Sequence, residues 1–238
     1  MKTPFFFLSV LVFLSSCMNE KGDVCNTAMF NVNISHQVDV QALQYNMFSY
    51  TNEAGNPYEV TTLRYYLSNF IFYNADGSDY TDEGIYYIDA NDALTNTIHI
   101  PELPMGNYNR VSFVVGLSPA QNITNGLPNI IVNNNMAWPD QMGGGYHFMK
   151  FEGHFTNNTG QEDGFAIHRG TNISSVNIEL DHLFEVKADN NSFNLNMNLN
   201  EWFRNPVTLN LDSLSYTMGN ATGMALVAAN GADVFSIQ

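Results

Sequence analysis

The chain has 238 residues, of which 45% are hydrophobic, so it is long enough to bury a substantial core without stabilising cross-links. Only 13% of its residues are charged, about half the usual share, and much of its polarity comes from asparagine, serine, threonine and glutamine. The formal net charge of −15 argues against binding to nucleic acid or to anionic lipid surfaces. With two cysteines there is no disulfide framework.

The first residues have the composition of an export signal. An apolar run over residues 4–13 is too short to span a bilayer, and Leu-Ser-Ser-Cys follows at 14–17. This ending resembles a bacterial lipobox, so we predict cleavage before Cys17, lipidation of its sulfur, and an outer-membrane lipoprotein facing the periplasm or the cell surface. Cys25 could serve as a metal ligand or an intermolecular bridge, but we expect an inert thiol. The predicted organisation is a signal peptide at 1–16, a polar tether at 17–28 and one domain at 29–238.

Short segments rich in β-branched and aromatic residues alternate with turn signals along the domain. The first runs from Met29 to His36 and places His36 at the end of its apolar, core-facing side. Further strands are predicted at 60–73, 85–89, 97–100, 108–117, 145–155, 173–180, 183–187 and 193–199. A loop is predicted at 101–107, and short helices before Pro128, from residue 201 and within 213–230. This pattern predicts an all-β fold, an antiparallel β-sandwich with long loops and a few short helices.

The clearest alternation lies at residues 193–199, where apolar side chains at odd positions alternate with asparagine. Such a strand has one buried and one solvated face, so we predict that it belongs to an antiparallel sheet.

Chemistry-bearing residues concentrate between residues 133 and 170. The stretch holds half of the six histidines together with Trp138 and several methionines, and imidazole and thioether are donors that suit copper. Strand parity places His147 on the face of Met149, opposite His154, so these two histidines share a site only if a bulge intervenes. His168 ends a short apolar run beside a glycine turn. The alternative for each histidine is a hydrogen-bonded residue packing the edge of the sandwich.

Two segments carry a family resemblance. Residues 136–155 read MAWPDQMGGGYHFMKFEGHF and residues 164–170 read GFAIHRG. They resemble the MbnP-like family of copper-binding bacterial proteins, with its Met-x-Trp, Lys-x-Glu-Gly and Phe-x-x-His-x-Gly elements. The resemblance covers most of the domain, and its further matching segments lie at 30–36, 63–69, 105–108, 111–116 and 229–235.

The resemblance implies an extracytoplasmic copper binder, used in copper acquisition or storage, rather than an enzyme. In relatives a tryptophan is oxidised to kynurenine by a MauG-like dihaem peroxidase, and an outer-membrane receptor is a further possible partner. By motif position, His168, His36 and Trp138 match the family's site residues, while His147 and Met142 are local candidates. We therefore expect His36, His168 and Trp138 to converge at one end of the sandwich.

Two departures from the family pattern stand against this expectation. Asp140 occupies the position two after Trp138 where some relatives have histidine. Residues 213–238 contain no histidine, and Ser-Tyr-Thr-Met at 215–218 replaces a His-Ser-Met-Met-like element.

Two other function classes compete with copper binding. One is a metal-free surface module for a glycan or protein partner, with Trp138, Tyr146 and Trp202 as stacking residues. The other is a hydrolase, which the sequence disfavours because Gly-x-Ser-x-Gly and His-Glu-x-x-His are absent and Asp140 and Glu152 do not form an acid–base pair.

Overall fold

The computed structural model describes residues 26–238, and the predicted signal peptide, Cys17 and Cys25 lie outside them. The described residues form two packed sheets, as predicted for a β-sandwich. No helix within them is long and apolar enough to cross a membrane. The strands are β1 Thr27–Val38, β2 Gln41–Ala42, β3 Tyr50–Thr51, β4 Pro57–Asn74, β5 Asp79–Asp89, β6 Thr97–Pro104, β7 Gly106–Val115, β8 His147–Thr156, β9 Glu162–Gly170, β10 Val176–Val186, β11 Asn191–Asn198 and β12 Phe235–Ile237. The helices are α1 Ile131–Asn135, α2 Ala221–Asn230 and 3-10 turns at Ala93–Thr95, Asp140–Met142, Asn172–Ser174, Leu199–Phe203 and Gly231–Asp233.

The smaller sheet is built around β1. This strand pairs with β11 on one edge and with β6 on the other, and β12 continues the sheet beyond β11. The β1–β11 pairing is parallel, with Ile34 opposite Leu195. The prediction that residues 193–199 belong to an antiparallel sheet was wrong for the pairing with β1, whereas the pairing with β12 is antiparallel. Leu195 is fully buried, as the alternation indicates.

The larger sheet is organised by β4, the longest strand, which pairs with β5, β7 and β8. The strand β9 lies beyond β8 and β10 beyond β7, and all of these pairings are antiparallel. One side of this sheet packs on the smaller sheet to form the main core, with Tyr65, Phe70 and Phe151 almost fully buried. Its other side carries a separate apolar cluster of Tyr66, Leu117, Met136, Tyr146 and Phe148.

Several element boundaries differ from the sequence prediction. Residues 101–104 extend β6 instead of forming a loop, and the segments at 173–180 and 183–187 merge into one strand, β10, whose register shifts between Asp181 and Phe184. The helix predicted before Pro128 lies after it, as α1. The terminal helix begins only at Ala221, because the left-handed Gly219 (φ 76°) precedes it.

Candidate metal centre

The indole of Trp138 is fixed by the loop that joins α1 to β8. Its backbone N–H donates to the carbonyl oxygen of Gly145 at 2.9 Å, and its ring Nε1–H donates to the carbonyl oxygen of Met142 at 3.2 Å. Consecutive glycines at 143–145 with φ of 106°, 68° and 84° turn the chain back between these contacts, in a conformation that other residues rarely adopt. Trp138 is only 2% exposed as a result.

Gly170 provides the surface on which this indole rests. A Cβ atom at position 170 would lie 2.2 Å from Cε3 of Trp138, so only glycine leaves room for the ring. The Phe-x-x-His-x-Gly element therefore has a structural meaning: Phe165 enters the main core, His168 points to the other face of the sheet, and Gly170 admits Trp138.

A β-bulge at Phe148 determines which face His147 occupies. His168 lies opposite Lys150 and Arg169 opposite Met149, yet Gly170 lies opposite His147, so one residue of β8 is unpaired. Opposite residues in a sheet point to the same side. His147 therefore shares the outer face with His168. The predicted placement of His147 on the face of Met149 was wrong, because the bulge interrupts the alternation between them.

The imidazole of His147 lies between Trp138 and His168. Its ring centroid is 4.7 Å from that of Trp138 and 5.1 Å from that of His168, both in edge-on arrangement. The ring nitrogen Nδ1 lies 3.1 Å from the carbonyl oxygen of Met136, whereas Nε2 is buried without a hydrogen-bond partner. Burial, with a smaller effect from the charge of Lys150, lowers the pKa of His147 from 6.5 to about 4.

His168 has the complementary arrangement. Its Nε2 lies 2.6 Å from Oε1 of Glu152, and its Nδ1 is buried without a partner. The hydrogen bond from His168 is the largest of the effects that lower the pKa of Glu152 below its usual value. The backbone of His168 is held as well, because its carbonyl oxygen accepts from Oγ1 of Thr217 at 2.6 Å. The segment in which some relatives carry histidine thus supports His168 here.

The structure does not bring His36 to this centre. Nε2 of His36 forms a 2.8 Å hydrogen bond with the hydroxyl of Tyr65, a core residue between the two sheets. His168 is on the outer face of the larger sheet, so that sheet separates the two imidazoles. The expected convergence of His36 with His168 and Trp138 was wrong, because His36 faces the core, as strand parity predicts, and the centre lies on the opposite side.

The other candidates have different surroundings. Nδ1 of His154 is 2.7 Å from Glu59, away from the centre, and His182 stacks on Phe184. The proposed glycan-stacking residues Trp138, Tyr146 and Trp202 are all buried, at 2%, 4% and 0% exposure, so none presents its ring to a surface ligand.

Met142 lies at the border of the centre, and the hydrogen bonds of the two imidazoles go to Met136 and Glu152 instead. Its side chain is 45% exposed and lines a cavity of about 370 Å³ on the surface side of Trp138. The cavity is mostly apolar, and its other walls come from Thr171, Ile173, Gly219, Ala221 and Met224.

The centre therefore offers two ring nitrogens rather than a larger ligand set. Within residues 26–238 no group of three histidine, cysteine, aspartate or glutamate side chains is placed to hold a metal ion. The unpartnered atoms are Nε2 of His147 and Nδ1 of His168, on imidazoles in contact. Buried polar groups in proteins are usually paired, and these two nitrogens have lone pairs available for a hydrogen-bond donor or a metal ion.

Sequence reasoning missed two members of the centre. Glu152 was considered only as an acid–base partner, and its contact with His168 depends on the register of β8 and β9. The carbonyl oxygen of Met136 carries no sequence signal, because every residue has one. The Lys-x-Glu-Gly element was the available clue to Glu152, since it lies on the strand adjacent to His168.

Comparisons with known proteins agree with this architecture. The sequence pattern of the MbnP family matches residues 27–219. Among solved structures, MbnP from Methylosinus trichosporium is similar, with a TM-score of 0.57 at 15% sequence identity, and the alignment covers 89% of this chain and 98% of that one. At that identity the likeness concerns the fold. No curated protein matches this sequence.

Proposed function

Because the chain belongs to the MbnP family, we propose that it is an extracytoplasmic copper-binding protein whose metal is held by His147 and His168. The observation that carries this proposal is the pair of buried, unpartnered ring nitrogens on two imidazoles whose centroids are 5.1 Å apart. Acquisition or storage of copper is the corresponding role.

The hydrogen bonds of the two rings leave the correct atoms free for a metal. The carbonyl oxygen of Met136 only accepts, so Nδ1 of His147 carries the hydrogen and Nε2 keeps its lone pair. The lowered pKa keeps His147 neutral at physiological pH, and a metal requires a neutral imidazole. In His168, Nε2 faces a carboxylate and Nδ1 keeps the lone pair.

The donor set favours copper over the other common metals. Calcium and magnesium require oxygen ligands, and zinc sites usually have three or four protein ligands. Copper(I) accepts two or three donors and binds imidazole well. The absence of a third histidine or carboxylate ligand among residues 26–238 therefore fits copper(I) better than zinc.

Trp138 is the candidate for oxidation to kynurenine. Cleavage of its indole C2–C3 bond is a four-electron oxidation. Two water molecules would supply the two added oxygen atoms, and two hydrogen peroxide molecules, reduced to water by the peroxidase, would accept the four electrons and the four protons released. Hydrolysis of the formyl group would then release formate. The product carries an aryl amine, which adds a third donor beside His147. A MauG-like dihaem peroxidase is the proposed partner. Because Trp138 is only 2% exposed, the peroxidase would withdraw electrons from the indole through the intervening protein. Intact-mass and peptide mass spectrometry of protein isolated from its host tests this step, and an unmodified Trp138 would refute it.

Placement at the outer membrane completes the proposal. Cys17 would carry the lipid, the tether would hold the domain outside the cytoplasm, and an outer-membrane receptor is a possible further partner. These elements depend on the lipobox-like sequence at 14–17.

The test is copper(I) binding by residues 17–238 carrying Cys17→Ser and Cys25→Ser, which removes the thiols that would bind copper themselves. Anaerobic competition with a chromogenic copper(I) chelator gives the affinity, and elemental analysis gives the stoichiometry. We expect His147→Ala and His168→Ala each to abolish tight binding.

Two histidine variants are matched controls. His154 lies on the same strand as His147 but pairs with Glu59, and His36 is bonded to Tyr65, so His154→Ala and His36→Gln should retain copper. Retention of wild-type affinity by both His147→Ala and His168→Ala would refute the site. Loss of copper binding in His36→Gln alone would instead support His36 as a copper ligand, as predicted from the sequence.

A further inference from the structure

The Lys-x-Glu-Gly element lies directly beside the two imidazoles. Lys150 is opposite His168 in the sheet, and Glu152 is diagonal to it, opposite Ala166. Diagonal neighbours on one face are within reach of long side chains, and Oε1 of Glu152 lies 2.6 Å from Nε2 of His168. The two side chains are 33% and 14% exposed, so the hydrogen bond is largely sheltered from water.

We propose that Glu152 is a positioning residue that fixes the tautomer and the orientation of His168. Its carboxylate accepts the hydrogen of Nε2, and this places the lone pair on Nδ1, the buried atom without a partner. Where copper binding is concerned, the inference rests on the proposed function. Carboxylate partners of this kind orient metal-binding histidines and increase their basicity in many proteins.

Lys150 serves the other half of the centre. Its Nζ donates to the carbonyl oxygen of Asn135 at 2.6 Å, one residue before Met136. Met136 in turn accepts both the backbone N–H of His147 at 2.6 Å and the ring contact at Nδ1. Two alternate residues of β8 therefore constrain the two imidazoles. Glu152 forms a hydrogen bond with His168 directly. Lys150 binds the loop before β8, in which the carbonyl oxygen of Met136 contacts His147.

Gly153 completes the element. A Cβ atom there would lie 1.9 Å from the backbone oxygen of Glu59, so glycine is required for β4 to lie against β8. All three named residues of the Lys-x-Glu-Gly element therefore have physical roles. Gly153 allows β4 and β8 to pair, and Glu152 is the residue in contact with a proposed ligand.

The experiment compares Glu152→Ala and Glu152→Gln with the wild-type domain. The ¹⁵N chemical shifts of the His168 imidazole, recorded on metal-free protein, report which ring nitrogen carries the hydrogen. We expect the Nε2–H tautomer in the wild type and in Glu152→Gln, whose amide oxygen still accepts, and a mixture of tautomers in Glu152→Ala. Copper(I) affinity should fall by about 10–100-fold in Glu152→Ala and by less in Glu152→Gln.

Glu59 provides the matched control, because it pairs with His154 at 2.7 Å on the neighbouring strand pair. Glu59→Ala should change neither the His168 shifts nor copper affinity. An unchanged Nε2–H tautomer in Glu152→Ala would overturn the proposal. If the wild type fails to bind copper(I), the proposed function fails, while the tautomer measurement still decides the role of Glu152.

Discussion

The contact between Gly170 and Trp138 allows a quantitative test of how the centre is packed. In a Gly170→Ala variant the new Cβ would lie 2.2, 2.6 and 2.7 Å from three carbon atoms of the indole. Carbon atoms pack at about 3.5–4.0 Å, so the ring or the strand must move by roughly 1 Å or more. The indole cannot move freely, because its Nε1–H and the backbone N–H of Trp138 each donate a hydrogen bond and the residue is 2% exposed.

We expect this overpacking to lower the free energy of unfolding by about 1–3 kcal/mol. For a domain of this size each kcal/mol lowers Tm by about 2–4 °C, which thermal denaturation followed by circular dichroism resolves. Gly164→Ala is the matched control on the same strand. Its Cβ would lie 3.1 Å from the hydroxyl of Tyr216, the far end of a side chain that is 61% exposed, and 3.9 Å from the backbone oxygen of Gly153, an ordinary van der Waals distance. That variant should stay within about 0.5 kcal/mol of the wild type.

A double-mutant cycle isolates the contact. Trp138→Ala alone should cost about 3–5 kcal/mol, because it leaves a cavity. In that background Gly170→Ala has no indole to displace, so its own cost should nearly vanish. The reasoning is refuted if Gly170→Ala costs the same with and without Trp138, or if it costs no more than Gly164→Ala.

On β1 and β11, the alternation of apolar and polar residues was sufficient to predict which side chains face the core. Leu195 and Met197 are fully buried, and His36 faces the interior, as the period-two pattern requires. Alternation is a property of one strand, however, and it does not show which strand pairs with it or in which direction that strand runs. The parallel pairing of β1 with β11 was therefore missed.

The position of the candidate metal centre depends on strand register, which the sequence does not display. One extra residue at Phe148 transfers His147 from the core face to the outer face, and neither Phe148 nor its neighbours mark a bulge by composition. Family motifs indicated His168 and Trp138, and both of these rings contact His147 in the structure. They could not show that the larger sheet separates His36 from His168. A motif specifies residue types in order along the chain and does not specify the face of the sheet on which each side chain lies.

Two predictions concern Cys17 and His36. If Cys17 carries a lipid, Cys17→Ser should move the protein from the membrane to the soluble fraction on cell fractionation; continued membrane association would contradict the anchor. Burial lowers the pKa of His36 from 6.5 to about 4, so the folded state resists protonation while the unfolded state accepts a proton. The stabilising contribution is complete above about pH 6.5 and is lost as pH falls toward about 4, a total of about 3 kcal/mol. The pKa of His147 is also lowered to about 4, so its protonation should reduce the stability of the folded state over the same pH range. In His36→Gln, urea unfolding should therefore show a shallower decline of stability between these pH values, by up to about 1.4 kcal/mol per pH unit. Parallel curves for the variant and the wild type would show that His36 is accessible to protons in the folded protein.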